Sequence, residues 1–431
     1  LSSAQGYLRN LGAIPLPPDV PSEETSPDFT VGVTPSDAEH LGNINISGTP
    51  TPRVSWQFFI DGVQRTVPIC LIPVGNLRVP VFVAHLIAGA MRRLDGRLSP
   101  FIKREAVILY FPLEGIRSAG AGLSTTPFLT DPPFTKLDHT GNIYEKIINL
   151  QQPSTISFWT DISVKLSYNP QDEPGLHPSG LDPSKLSAIG AVRRAARDRS
   201  QVLLRIMELG IIWEIATKNI LDDNEFMILD GPVFLPFRYA TLTSQHLATV
   251  MDPMGENIGN VQQIFNILHN LIGVVKTVQI IPIQGLIDAL SPGPGFVIPI
   301  YVFSTTVRGA SDQVSRHTLA CFAWLRRELS GEISPIWSPS SELVRIDIPY
   351  PAIVDPKIDN NWYTPEFRPD VLGRHKQKVR DILSTALAER WPIPETTPHR
   401  MLTELYPIAE TERWLRAHLM PEQELRKLAG I

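Results

Sequence analysis

Two short segments of the chain have the same form. FFIDG at 58–62 and MILDG at 227–231 each carry an apolar, strand-like run into an Asp followed by Gly. Glycine permits a sharp turn, so each carboxylate, Asp61 and Asp230, is expected at the exposed end of a strand. Two such carboxylates on neighbouring strands can hold a hard divalent cation. Two cations about 4 Å apart can activate water and stabilise the leaving oxygen when a phosphodiester is cleaved. Asp-Gly after a strand is more often a plain hairpin turn. Asp95, in RRLDGR, has no apolar run before it and is read as such a turn. A further carboxylate lies on the long helix upstream of Asp230. Both Glu208 and Glu214 sit there, and spacing alone does not choose between them.

The elements that would position these groups follow from pattern. Around Asp61, RVSWQFFIDG reads as a strand ending in a turn, QRTVPICLIPV as a second strand, and RVPVFVAHLIAGAMRR as a third running into a short helix. EAVILYFPL reads as another, so the run looks like an antiparallel meander. A helix is expected from about 183 to 219, with Leu204, Ile211, Ile212 and Ile215 on one buried face. NEFMILD is wholly apolar up to its Asp, which suits a central strand covered on both faces. Helix then strand follows over 256–280, then strands at FVIPIYVFST, ISPIWSPS and ELVRIDIPYP; 313–330 is helix or strand. Helices close the chain at 369–390 and 409–428.

Composition sets the class. The 431 residues are 43% hydrophobic and 19% charged, enough for a substantial core and typical of a folded, non-fibrous chain. The net charge of −5 excludes a uniformly basic coat without excluding a basic groove. Prolines number 40, about twice the usual share, so long ordered loops and interrupted strands are expected. Cys70 and Cys321 lie in apolar runs and read as buried thiols. No apolar run of about 18 residues and no signal peptide is seen, which points to a cytoplasmic protein without a membrane segment. Residues 1–45 are rich in Pro, Ser, Asp and Glu and read as an extended arm with at most one short helix. Residues 46–431 form the main domain, with a loop-rich insert at 114–182. Basic residues gather at Arg92, Arg93, Arg97, Lys103 and Arg104, at Arg193, Arg194, Arg197 and Arg199, and at Arg326 and Arg327 beside Trp324. Each is a candidate grip on DNA phosphates, or simply a solvated face. No phosphate-binding loop of the GxxxxGK[ST] type is present, so any ATP hydrolysis would come from a partner.

In order and approximate spacing, FIDGV, MEL and WEIA on the long helix, ILDGPV, GVVKT at 273–277, LVRIDIP at 343–349 and the His in PHRMLTELYP resemble the NurA nucleases. The resemblance covers roughly residues 53–420. It implies an α/β fold of RNase H-like (PIWI-like) type, a mixed sheet flanked by helices with a helical C-terminal extension. It implies a manganese- or magnesium-dependent deoxyribonuclease, with two ions per site, acting on DNA ends and on single strands. Asp61 and Asp230 would be the catalytic, metal-binding aspartates, with Glu214 or Glu208 as the helix glutamate. Lys276 would match the lysine of GVVKT, Tyr301 a tyrosine near the site, and His399 the late histidine. The implied partners are a hexameric HerA-type ATPase and a second copy of the chain, in DNA-end processing or antiphage defence. The alternative is an inactive adaptor that keeps the fold and docks on such a ring.

Overall fold

The computed structural model describes residues 3–17, 38–119, 130–138, 142–149, 155–164, 183–233, 261–275, 295–308, 314–326, 343–361, 370–389 and 406–430, apart from a few single positions. These residues build one mixed, twelve-stranded sheet with helices on both faces.

Its centre is a meander of three long strands. β3 is Ser55–Val74, β4 is Leu77–Leu94 and β5 is Arg97–Phe111. Two-residue turns join them: Val74 pairs with Leu77, and Leu94 with Arg97. Gly75, Asp95 and Gly96 take positive φ there, as tight hairpins require. The expectation at Asp95 therefore holds. The expected break after FFIDG does not, because β3 runs straight through Asp61 and Gly62 for a further twelve residues. The expected helix at the end of the third strand is strand as well. Ala84, Ala88 and Ala90 favour helices, but here they and Gly89 thin the sheet so that helices can approach from either side.

The chain then makes α2 (Leu113–Ala119), α3 (Ile143–Asn149) and the long α4 (Ile189–Thr217). The stripe at Leu204, Ile211, Ile212 and Ile215 is buried as expected. β8 (Glu225–Asp230) returns parallel to β3, and α5 (Val261–His269) leads to β9 (Leu271–Val275), parallel to β8. The order β5-β4-β3-β8-β9, third-second-first-fourth-fifth of the core, is the RNase H-like arrangement.

Additions widen the core on both edges. β7 (Phe158–Asp161) and the short β6 (Thr135–Lys136) join beyond β5, so the 114–182 segment contributes strands as well as loops. Beyond β9 come β12 (Leu343–Pro349), β11 (Val314–Arg326), β10 (Gly295–Arg308) and finally β2 (Ala38–Ser47). Within the 313–330 stretch, the described residues Val314–Arg326 are strand; ISPIWSPS lies outside the described residues. In the N-terminal segment the short helix expected near the start is α1 (Ser3–Asn10); residues 18–37 lie outside the described residues, and the described parts pack on the main domain. α1 buries Ala4 and Leu8, β1 (Ile14–Pro15) pairs with β3, and β2 closes one edge of the sheet. The C-terminal helices are α6 (Lys376–Ala388), α7 (Tyr406–Ala417) and α8 (Glu422–Ala429). The last expected helix is split in two, and Pro421 caps the second piece. Among the described residues no helix is long and apolar enough to cross a membrane.

Candidate functional site

β3 and β8 run parallel with Ile60 opposite Leu229 as their last pair. The next step along each strand places Asp61 beside Asp230. Asp230 is the last residue of β8, where Gly231 turns the chain at φ 126°. A Cβ on Gly231 would also lie 3.2 Å from the Arg205 guanidinium. The two Asp-Gly pairs therefore use glycine differently. Gly62 stays in the strand, and it is glycine because α4 leans on it. A Cβ there would meet Glu208 Oε1 at 2.7 Å and Leu204 at 3.1 Å. The Gly62 N–H donates to Asp61 Oδ1 at 2.7 Å, holding that carboxylate close to its own backbone.

Strand alternation sorts the neighbours. Gly62 and Thr66 face α4, where Thr66 meets Ser200. Val63 faces the other way and packs with Ile87, Leu415 and Leu419 under α7. Asp61 shares its face with Val63, so it belongs to the α7 side, whereas Glu208 comes from the α4 side. Gly89, opposite Asp61, leaves the space that Leu415 and Trp414 fill. The three carboxylates thus approach the end of β8 from both faces of the sheet.

One cation stands among them, and sequence reasoning missed it. Arg205 and Glu208, one turn apart on α4, form an ion pair with the carboxylate 2% exposed. Arg205 Nη1 also donates to the Asp230 carbonyl at 3.1 Å. Burial works against the Arg205 charge, but the Glu208 carboxylate, then Asp230 and Asp61, outweigh it and raise its pKa. Burial also raises the Glu208 pKa; Arg205 pulls it back, and Asp230 adds to the rise. The available signal was the spacing: Arg205, Glu208 and Ile212 fall on one helical stripe. A charged residue on that stripe must find a buried partner.

The donor set consists of hard carboxylate oxygens, the chemistry a divalent cation takes. Arg205 meets the charge of Glu208. Among the described residues no group of three or more His, Cys, Asp or Glu side chains is spaced to hold a metal ion. The chemistry fits a divalent ion at the two aspartates, with Glu208 already engaged by the guanidinium.

The remaining expected residues do not join them. Glu214 lies two turns along α4, where Arg104 Nη2 donates to both of its oxygens at 2.8 Å and the Tyr144 hydroxyl donates to Oε1. Tyr301 is buried on β10 against the His40 ring. Its row runs Tyr301, Phe322, Asp347, Gly273, Leu229. It is therefore four strand spacings from β8, about 19 Å. Burial raises its pKa. Lys276 and His399 lie outside the described residues. Within LVRIDIP, Arg345 pairs with buried Asp347 at 2.7 and 3.1 Å. Burial raises the Asp347 pKa, against the pull of Arg345 and of a hydrogen bond from the Val233 backbone. Asp347 thereby ties down the chain just after Asp230. Several basic residues expected to grip DNA are used internally. Arg93 pairs with Glu389, Arg104 with Glu214, and buried Arg199 donates to Thr160 and to the Val164 carbonyl.

No family model matches the chain, and no curated protein matches it. A solved structure of the NurA nuclease from Sulfolobus solfataricus is similar over 91% of this chain and 86% of its own, at 9% identity and a TM-score of 0.36. At that level of likeness, function has to be read from the chain's own side chains.

Proposed function

We propose that the chain is a metal-dependent DNA nuclease whose reaction centre is the Asp61–Asp230 pair at the end of β8. The observation that carries this reading is their register: two aspartates side by side on parallel core strands, with a buried helix glutamate behind them. A divalent ion, Mn2+ or Mg2+, held by Asp61 and Asp230 would supply an activated water and a positive charge opposite the scissile phosphate. Asp61 is kept close to its backbone by the Gly62 N–H, so little reorganisation is needed to present it. Arg205, anchored by Glu208, keeps a fixed positive charge beside the pair, where a phosphodiester's developing charge would be stabilised. Lys276 and His399 are proposed to assist at the same centre, as the sequence resemblance implies.

DNA ends as substrate, a HerA-type ATPase partner, a homodimeric state and a role in end processing or antiphage defence are proposed on that resemblance alone. The test is cleavage of end-labelled duplex and single-stranded DNA with and without Mn2+. Asp61→Ala and Asp230→Ala should each remove cleavage while leaving the thermal unfolding midpoint in place. Cleavage that persists in both folded variants would overturn the reading. The competing reading, an inactive adaptor, is favoured by one feature: a guanidinium already neutralises Glu208. An adaptor would show no cleavage with any divalent metal and would still bind its ATPase ring.

A further inference from the structure

The turn between α7 and α8 is tied to the sheet at one residue. The Met420 N–H donates to His85 Nδ1 at 3.1 Å, and Arg65 Nη1 donates to the Met420 carbonyl at 2.6 Å. Arg65 and His85 oppose each other in the β3–β4 register, on the face of the sheet that carries Asp61. The apolar packing beside this tie is a small cluster, Val63, Ile87, Leu415 and Leu419, apart from the main core. α8 is anchored in the main core itself, through Leu425 and Ala429. A segment packed on so few apolar contacts opens more easily than the core around it.

An N–H donor needs an unprotonated acceptor, so His85 is neutral, with its proton on Nε2, while the turn is closed. Nε2 lies 3.5 Å from Glu105 Oε2, and Lys103 lies 3.5 Å from the other Glu105 oxygen. The Glu105 carboxyl is held below the ordinary carboxylate range, first by its contact with His85, against burial, and then by Lys103. A second ring proton goes to Nδ1, the nitrogen that Met420 uses. Glu105 faces the Nε2 proton before and after, so it favours the imidazolium in the closed and the open turn alike. Arg65 repels the imidazolium from β3, and opening relieves that repulsion by freeing the guanidinium from Met420. On α7, Arg413 pairs with Glu410 and Arg416 with Glu412; on α8, Arg426 pairs with Glu422, while Glu424 and Lys427 are exposed. His418, the histidine of the turn itself, donates from Nδ1 to the Trp414 carbonyl, a bond that its charged form also makes.

We propose that His85 is a proton-sensitive latch: its protonation releases Met420, and the α7–α8 turn lifts with the C-terminal end of α7 from the face of the sheet that carries Asp61. The side chains that move are Trp414 and Leu415, which fill the space over Gly89, the β4 partner of Asp61. The closed turn requires a bare Nδ1 and the open turn does not, so acid favours the open form. The latch works in this way whatever chemistry Asp61 supports.

The test is hydrogen–deuterium exchange of the full chain, read by mass spectrometry over residues 415–421, in the wild type and in His85→Asn. Asparagine offers an acceptor oxygen near the place of Nδ1 and takes up no proton. The ratio of wild-type to His85→Asn rates at each pH therefore removes the intrinsic pH dependence of exchange. Imidazole in water is half protonated near pH 6.5, so this ratio should rise about tenfold between about pH 7.5 and about pH 5.5. Arg65→Leu should speed exchange at every pH and leave the rise in place. If His85→Asn does not fold, the wild-type rates over 415–421 are divided instead by those over α3, which contains no histidine. A flat ratio across this range would overturn the proposal, as would a ratio that rises with alkali. Acid loosening shared equally by α3 would be general unfolding and would overturn it too.

Discussion

Helix α4 carries two arginine–glutamate clusters, and they teach opposite lessons. At one, Glu214 receives Arg104 and the Tyr144 hydroxyl, from β5 and α3 respectively. One acid is fully met by base, Arg104 at 2.8 Å and Lys218 at 3.9 Å, and a phenol adds a neutral hydrogen bond. At the other, two turns back, Arg205 faces Glu208, Asp230 and Asp61. There three carboxylates act on one guanidinium among the described residues. A balanced cluster fastens elements together. An unbalanced one costs stability, and an excess of negative charge at a strand end suits a cation that arrives from outside.

The largest expected effect separates the two directly. Asp61→Ala should lower metal-dependent cleavage by about a hundredfold or more, since even outer-shell changes at metal sites cost about 10- to 100-fold. Glu214→Gln should leave cleavage per folded molecule unchanged. If Glu214→Gln proves as damaging to cleavage as Asp61→Ala, with folding intact, the distinction fails.

Each cluster also abuts a glycine, which sharpens the contrast. Gly210→Ala would drive a Cβ to 2.3 Å from the Tyr144 ring and should destabilise the protein by about 3 kcal/mol, seen in urea unfolding. Gly62→Ala would press on Glu208 instead. It should cost about 1–2 kcal/mol and, unlike Gly210→Ala, alter Mn2+ affinity. Equal metal affinity in both variants would mean that Glu208 has no connection to the aspartate pair.

Smaller effects test the balanced cluster by itself. Glu214 is 16% exposed and Arg104 33%, so screening discounts their pairing, and Glu214→Gln should cost about 1–2 kcal/mol. Tyr144→Phe should cost about 1 kcal/mol. Burial, then the Glu214 carboxylate, raise the Tyr144 pKa far above its ordinary value of 10.0. A phenol ionises more readily in the unfolded chain, so above about pH 10 that chain holds fewer protons than the native one. The Tyr144 contribution is therefore fully present below pH 10 and declines as pH rises beyond it. In Tyr144→Phe the alkaline loss of stability should be shallower; an identical pH profile would remove Tyr144 from the account.

Much of this was legible in the chain because burial leaves runs of apolar residues. FMIL before Asp230, the stripe on α4 and LVRIDIP all lie where pattern places them. What was not legible turned on contacts between distant elements. Asp61 reads as a strand end because Asp-Gly usually turns, yet Gly62 is there to receive Glu208. AHLIAGA in β4 reads as helix because its alanines favour helices, yet its small residues admit α4 on one face and α7 on the other. Arg205 belongs to no motif, and its place on the buried stripe of α4 does not say that the carboxylates acting on it come from three elements. The choice between Glu208 and Glu214 depended on which side of α4 meets β8.

β2 lies at the edge of the sheet against β10, with Ala38 opposite Phe303, and α1 sits against α8, where Gln5 donates to the Gly430 carbonyl. During synthesis, Gln5 leaves the ribosome before its partner at 430 exists. At about 5–20 residues per second, that wait is on the order of a minute. Through that interval α1 lacks its contact with α8, while Tyr7 can already meet Phe111 and the Thr130 carbonyl. The first described helix to be made is thus among the last to complete its packing, and the nascent chain must keep its α8-facing side from premature association until α8 arrives.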